Sequence, residues 1–295
     1  MYRIPRLRWR RFVSDTYAPW LGRTEHSTDT VSAAPVRALA ATLDRDDITA
    51  RPGEPLPPLW HWLYFLPVAP QRELGEDGHP RRGGFLPPVP LPRRMWAGSR
   101  LEFVAPLRVG DSIERTSTIL NIEHKTGRSG ELVFVCVGHE VRRADGEVLL
   151  HEEHDIVYRA PSAASAPRTS PESKAPPVHA WQRTVTPDAA LLFRYSALTF
   201  NGHRIHYDRT YASEVEGYPG LVVHGPLQAT LMLDLLGRER PAARLGAFSF
   251  QARQPVFDTA PFHVCGDIDA GTGDAHLLTY TADGRVALEG TACFI

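Results

Sequence analysis

Apolar-rich runs broken by turn-forming residues dominate the first half of this 295-residue chain. Residues 100–104, 112–124, 131–142 and 148–158 read as strands. Gly110-Asp111, the Gly127 to Gly130 tetrapeptide and Ala144-Asp145-Gly146 separate them, which predicts an antiparallel meander. A mixed helical segment, residues 34–44, precedes these strands. The second half runs in the same order: a short strand at 181–185, a helix or helical turn at 188–196, then residues 226–236. Leu227, Ala229, Leu231, Met232, Leu233, Leu235 and Leu236 make that last segment apolar nearly all round, the pattern of a buried helix. Strands are expected again at 243–252, 262–269, 275–281 and 286–294, with Gly271-Thr272-Gly273 and Ala282-Asp283-Gly284 as turns.

The two meanders match internally. Residues 101–113 and 248–262 each read as a strand, a proline corner and a second strand. A duplicated α+β unit follows from that match, each copy a sheet wrapped round a central helix, with the first copy degenerate for want of a long apolar helix. Residues 160–178 are rich in proline and serine and carry no aromatic residue, so they cannot bury a core and divide the chain. The expected organisation is an extension over 1–16, a unit over 17–159, the linker, and a unit over 179–295. The proline-rich stretch 52–92 contains Trp60, Trp62, Tyr64 and Phe65, which makes it a packed, irregular loop rather than a linker.

Composition narrows the function. A net charge of −1 argues against a nucleic-acid partner. No run of about 18 apolar residues occurs, so a membrane span is not expected. Three cysteines without paired spacing, Cys136, Cys265 and Cys293, suit buried, reduced thiols and a cytoplasmic setting. Arg3, Arg6, Arg8, Arg10 and Arg11 crowd an acid-free N-terminus; read as a transit peptide they would make the location mitochondrial, but Pro5, Trp9 and the absence of serine favour a plain extension.

The chemistry concentrates between Thr199 and Pro226. His206 is the candidate general base, because imidazole moves protons near neutral pH. Asn201 cannot titrate but can orient water or an imidazole; an Asx turn is the alternative. Gly225 opens the buried helix with Pro226 behind it, so its N–H can meet a developing oxyanion. Arg204 and Arg94 are candidate carboxylate grips, and His203 and His224 candidate substrate contacts. Together His203, His206 and His224 could also ligate zinc, but no acidic or cysteine ligand stands at regular spacing, so no metal and no other cofactor is expected.

Residues 196–212 with Val222-Val223-His224-Gly225 resemble the MaoC-like hot-dog hydratases and dehydratases, in the branch of type 2 hydroxyacyl-thioester dehydratases and mesaconyl-C4-CoA or itaconyl-CoA hydratases. Residues 62–67, 74–80, 83–98 and 125–130 resemble the N-terminal signature of that branch. The resemblance implies a double hot-dog fold and reversible hydration of an α,β-unsaturated, branched dicarboxylic acyl-CoA, with acyl-CoA as the small-molecule partner and a homodimer possible. It places the catalytic histidine at His206 and the oxyanion N–H at Gly225. The family's aspartate, five residues before the histidine, falls on Asn201, and a glycine before it on Phe200. A second carboxylate from elsewhere, or His206 alone, would then complete proton transfer. Acyl-carrier-protein dehydration, thioester hydrolysis and noncatalytic acyl binding are the competing readings.

Overall fold

The computed structural model describes residues 15–127, 130–160 and 175–295. The arginine-rich start, with its transit-peptide reading, and most of the expected linker lie outside the described residues.

Ten strands form one antiparallel sheet: β1 (Thr24–Thr30), β2 (Arg93–Phe103), β3 (Ser112–Gly127), β4 (Gly130–Arg143), β5 (Val148–Arg159), β6 (Trp181–Val185), β7 (Leu245–Ala252), β8 (Phe262–Ile268), β9 (Ala275–Tyr280) and β10 (Val286–Phe294). Their spatial order is β1-β3-β4-β5-β2-β7-β10-β9-β8-β6. From its outer edge inward, the first half reads first, third, fourth, fifth, second. The second half, counted from β6, reads the same. Duplication is therefore visible in topology, as the internal match implied.

The matched segments meet at the seam. Leu101 pairs with Phe248 and Ser99 with Phe250 where β2 adjoins β7. Gly98 admits the approach: a Cβ there would sit 2.3 Å from the Phe250 carbonyl oxygen.

Three α-helices are present among the described residues: α1 (Ala33–Thr42), α2 (Ala189–Leu198) and α3 (Gly225–Glu239). Every residue of α3 from Leu227 to Leu236 is buried, and the helix packs on β6, β8, β9 and β10. Its apolar surround predicts that placement. The first copy has the shorter α1, with only Val36, Leu39, Ala40 and Thr42 buried, packed against α2. No helix of the described residues is long and apolar enough to cross a membrane.

Three features departed from expectation. β1, Thr-Glu-His-Ser-Thr-Asp-Thr, has no apolar residue and lies exposed at the sheet edge, so no hydrophobic pattern announces it. β2 begins seven residues before position 100, because Arg93 to Trp96 pair with β5 through backbone bonds that an Arg-Arg-Met-Trp run without polar–apolar alternation does not reveal. The proline-rich stretch is packed, with Leu59, Trp60, Leu63 and Tyr64 all buried. Cys136 and Cys265 are buried and free, while Cys293 is partly exposed, against expectation.

A buried charge cluster ties the halves together. Asp234 of α3, its side chain 1% exposed, accepts from Arg45 at 2.7 Å, Arg183 at 2.8 Å and Arg238 at 2.9 Å. Arg45 follows α1, and Arg183 lies on β6. Removing Asp234 leaves Arg183 and Arg238 without this carboxylate and Arg45 with Asp47 alone. Asp234→Ala is expected to destabilise the protein by about 3–5 kcal/mol; an unchanged denaturant midpoint would show that the cluster holds nothing.

Candidate active site

Asp188 starts α2, its Oδ1 accepting from the Leu191 N–H at 2.8 Å. The helix ends in a Schellman motif. The Asn201 N–H donates to the Ser196 carbonyl and the Phe200 N–H to the Ala197 carbonyl. Phe200 takes the left-handed position, φ +48°, where glycine is usual. Such strain costs about 1–2 kcal/mol and is tolerated where the surrounding structure over-determines it. Next comes an Asx turn, in which Asn201 Oδ1 accepts from the His203 N–H at 3.0 Å. The amide oxygen is thus occupied, leaving the Nδ2 donors.

The chain then turns through His206 and is strapped to residues 221–223. Val222 donates its N–H to the Ile205 carbonyl, and its own carbonyl lies 2.7 Å from His206 Nδ1. The Val223 N–H reaches the Val256 carbonyl and fixes the strap to the following loop. A carbonyl only accepts, so Nδ1 carries the proton and the lone pair of neutral His206 falls on Nε2. Burial pulls the His206 imidazole down to about 4, against the Val222 bond, with His79 adding a smaller push in the same direction. His206 stays neutral at pH 7, the form a base requires. His224 stacks on it, with ring centres 3.7 Å apart.

Gly225 follows His224 at the start of α3, which has no side-chain cap. A Cβ on Gly225 would meet nothing within 4 Å, so neither packing nor a positive φ calls for glycine here. Open space beside an uncapped helix N-terminus suits a close-lying carbonyl oxygen.

A second loop, from the first half, docks on this one. Asp77 Oδ1 accepts from the His79 N–H at 3.0 Å, and Asp77 Oδ2 lies 3.1 Å from His79 Nδ1. The Arg204 N–H donates to the Asp77 carbonyl at 2.9 Å. His79 and His203 face each other at 4.1 Å, and His203 stands edge-on to His206 at 5.4 Å.

A family model described as hydroxyacyl-thioester dehydratase type 2 matches residues 59–258. The chain belongs to that family. It is a hydro-lyase of acyl thioesters. It is 50% identical over 279 residues to the mesaconyl-C(4)-CoA hydratase of Chloroflexus aurantiacus, covering 94% of this chain and 98% of that one. Its fold is similar to that of a MaoC-like dehydratase (TM-score 0.69, 14% identity, 94% and 98% covered). It is also similar to Rv0216 of Mycobacterium tuberculosis, described as a double hotdog fold (TM-score 0.59, 14% identity, 93% and 96% covered). The α+β double hot-dog expected above is the fold of this dehydratase-family chain.

Two residues expected to contact substrate have polar atoms engaged within the protein. Arg204 is engaged by Asp208 at 2.7 Å, by the Glu76 carbonyl at 3.0 Å and by the Tyr211 ring, so its fork is occupied by the loop it holds. His224 is 1% exposed, bonds Ser196 Oγ at 2.8 Å and stacks behind His206. Arg94 differs. It forms no ion pair with any carboxylate among the described residues, yet its charge acts on His79, His203 and His154.

Sequence reasoning missed Asp77 and His79, although the Asp-Gly-His triplet echoes Asn201-Gly202-His203. It also missed a buried polar layer on the inner face of the first half. There the Glu152 carboxylate accepts from His61 at 3.1 Å, Trp62 at 3.2 Å and Ser99 at 2.9 Å. Burial raises this carboxyl, but the His61 bond and the charges of His61, His139 and His154 hold it near 2. Asp77, His79 and His203 each bring one ligand atom within 4.8 Å of the others, a spacing compatible with a cation. The Asp77–His79 bond, however, turns two of the donors toward each other.

Burial holds His206 and His154 near 4 and His139 near 3 in the folded chain, against 6.5 ordinarily. The unfolded chain therefore binds more protons once the pH drops below about 6.5. Stability is expected to be intact above pH 6.5 and to fall toward pH 4, by up to about 3 kcal/mol per imidazole. Denaturant midpoints across that range test this, and His206→Gln should flatten the slope; a flat wild-type profile would contradict it.

Proposed function

We propose that the chain hydrates the double bond of a branched dicarboxylic acyl-CoA of the mesaconyl-C4-CoA or itaconyl-CoA type, with the second half carrying the catalytic loop and the first half shaping the acyl pocket. The observation that carries this reading is the neutral His206, Nδ1 tied to the Val222 carbonyl, beside the open N-terminus of α3. The thioester carbonyl accepts from the Gly225 N–H, which draws electrons from the β-carbon. Water, held by Asn201 Nδ2, gives a proton to His206 Nε2 as its oxygen bonds that carbon. His203 lines the same cleft. An oxyanion donor of this kind is worth about 10²–10³ in rate.

The dicarboxylic class rests on Arg94. Its half-buried guanidinium meets the Tyr158 hydroxyl but no carboxylate, and its charge acts on the histidine cluster, so it supplies what a free substrate carboxylate needs. Trp96, His154 and the Glu152 layer line the first half close by, where a long alkyl chain would find polar surface. Reduced cysteines fit a cytoplasmic location.

The experiment is a panel of mesaconyl-C4-CoA, itaconyl-CoA and crotonyl-CoA, followed by loss of enoyl absorbance. Both dicarboxylic thioesters should outrun crotonyl-CoA. His206→Gln should lower kcat by about 10²–10⁴-fold. Arg94→Met should lower kcat/KM on the dicarboxylic substrates by about 10-fold or more while sparing crotonyl-CoA. A His206→Gln enzyme at wild-type rate, or equal losses on all three substrates with Arg94→Met, would sink the corresponding role.

A further inference from the structure

Hydration needs two proton transfers, and Asn201 cannot titrate. We infer that Asp77 and His79, reaching in from the first half, form the second proton-transfer group, with His79 protonating the α-carbon and Asp77 positioning it. The inference rests on the hydratase reading above.

Two X-Gly-His turns, one from each half of the duplicated fold, are pressed together at the cleft. Asp77-Gly78-His79 and Asn201-Gly202-His203 have the same internal bond, the Asx oxygen accepting from the histidine N–H at 3.0 Å in both. Their backbones touch. A Cβ on Gly78, φ +85°, would lie 1.9 Å from the Gly202 carbonyl oxygen, and one on Gly202 would lie 2.8 Å from that of Gly78. Only glycine at both positions allows the contact. Arg204 clamps the pair, its N–H on the Asp77 carbonyl and its guanidinium on the Glu76 carbonyl. The two turns differ in one functional atom: the second holds an amide where the first holds a carboxylate. That carboxylate is also bonded to an imidazole, Asp77 Oδ2 to His79 Nδ1 at 3.1 Å. With Nδ1 donating to Asp77, His79 Nε2 is the atom left to exchange a proton. His79 packs on His203, which packs on His206, so the two outer imidazoles flank one cleft from opposite halves.

The charges around the rings assign the roles. His206 faces a neutral carbonyl and favours the base form. His79 faces a carboxylate, which stabilises an imidazolium. Burial, with the Arg94 and Arg82 charges, outweighs that carboxylate and holds the His79 imidazole below its ordinary range in the free protein. A substrate carboxylate on Arg94 would cancel one of these opponents, so binding itself favours loading His79 with a proton. The step balances: the water oxygen bonds the β-carbon, its proton goes to His206 Nε2, and the π pair moves into an enolate held at Gly225 N–H. The enolate collapses onto the proton at His79 Nε2. The net change is addition of one water, and solvent exchange returns the proton from His206 to His79.

The test measures mesaconyl-C4-CoA hydration by the wild-type full chain, His79→Gln and Asp77→Asn across pH, with thermal melts as the check on folding. His79→Gln should lower kcat by about 10²-fold or more at nearly constant KM. Asp77→Asn should lower kcat by about tenfold and move the alkaline limb of the kcat profile to lower pH, since the acid loses its counter-charge. If His79→Gln does not fold, the limb shift in Asp77→Asn decides. A His79→Gln rate within about threefold of wild type, an effect on KM alone, or an unmoved limb in Asp77→Asn overturns the inference. So does activity lost to a chelator and restored by Zn²⁺, which would make the cluster a cation site. Those results leave the hydratase reading standing; a wild-type chain inactive on every enoyl-CoA overturns both.

Discussion

One hydrogen bond organises this site: the 2.7 Å contact between His206 Nδ1 and the Val222 carbonyl. It selects the tautomer, aims Nε2 outward and ties the catalytic turn to a strap that itself reaches the Val256 carbonyl. His224, stacked behind, gives the imidazole a wall and leads directly into α3. The proposed base and oxyanion donor are therefore both held by one strap-and-helix unit. Preorganisation of this kind is what allows a weak base and a backbone N–H to act together.

The duplicated fold makes the second constraint. Because the halves join antiparallel at β2 and β7, like parts of the two copies are brought face to face. Each copy supplies an X-Gly-His turn, and the glycine contact brings both to one cleft. In the proposed mechanism one copy supplies the base and the helix N-terminus. In the same proposal its partner brings the carboxylate-backed imidazole and Arg94, which meets no carboxylate among the described residues. Family membership supplies the thioester chemistry; the division between halves is what these residues add to it.

Much of this was legible from residue order alone. The buried helix α3 showed in its unbroken apolar surround, and most of the strands showed in runs bounded by Gly-Asp or Asp-Gly turns. His206 and Gly225 stood out as candidates because a turn-rich segment leads into that helix. β1 was not, since a strand of Thr, Glu, His, Ser and Asp at an exposed edge buries too little to leave a pattern. Arg204 misled for a different reason: sequence shows a guanidinium near the site but not that Asp208, four residues on, claims it. His224 likewise looked available until the stacking with His206 placed it in the core. The Asp77–His79 pair depends on contacts 124 residues apart, between positions 78 and 202, which no local spacing encodes.

The claim on which the account turns is the protonation state and tautomer of His206. Nitrogen-15 NMR of the histidine-labelled protein, assigned by comparison with His206→Gln, reads both directly. Expected at pH 7 is a neutral ring protonated at Nδ1 with an unprotonated Nε2, persisting as the pH is lowered well below 6.5. An imidazolium at neutral pH, or a proton on Nε2 with Nδ1 bare, would contradict it.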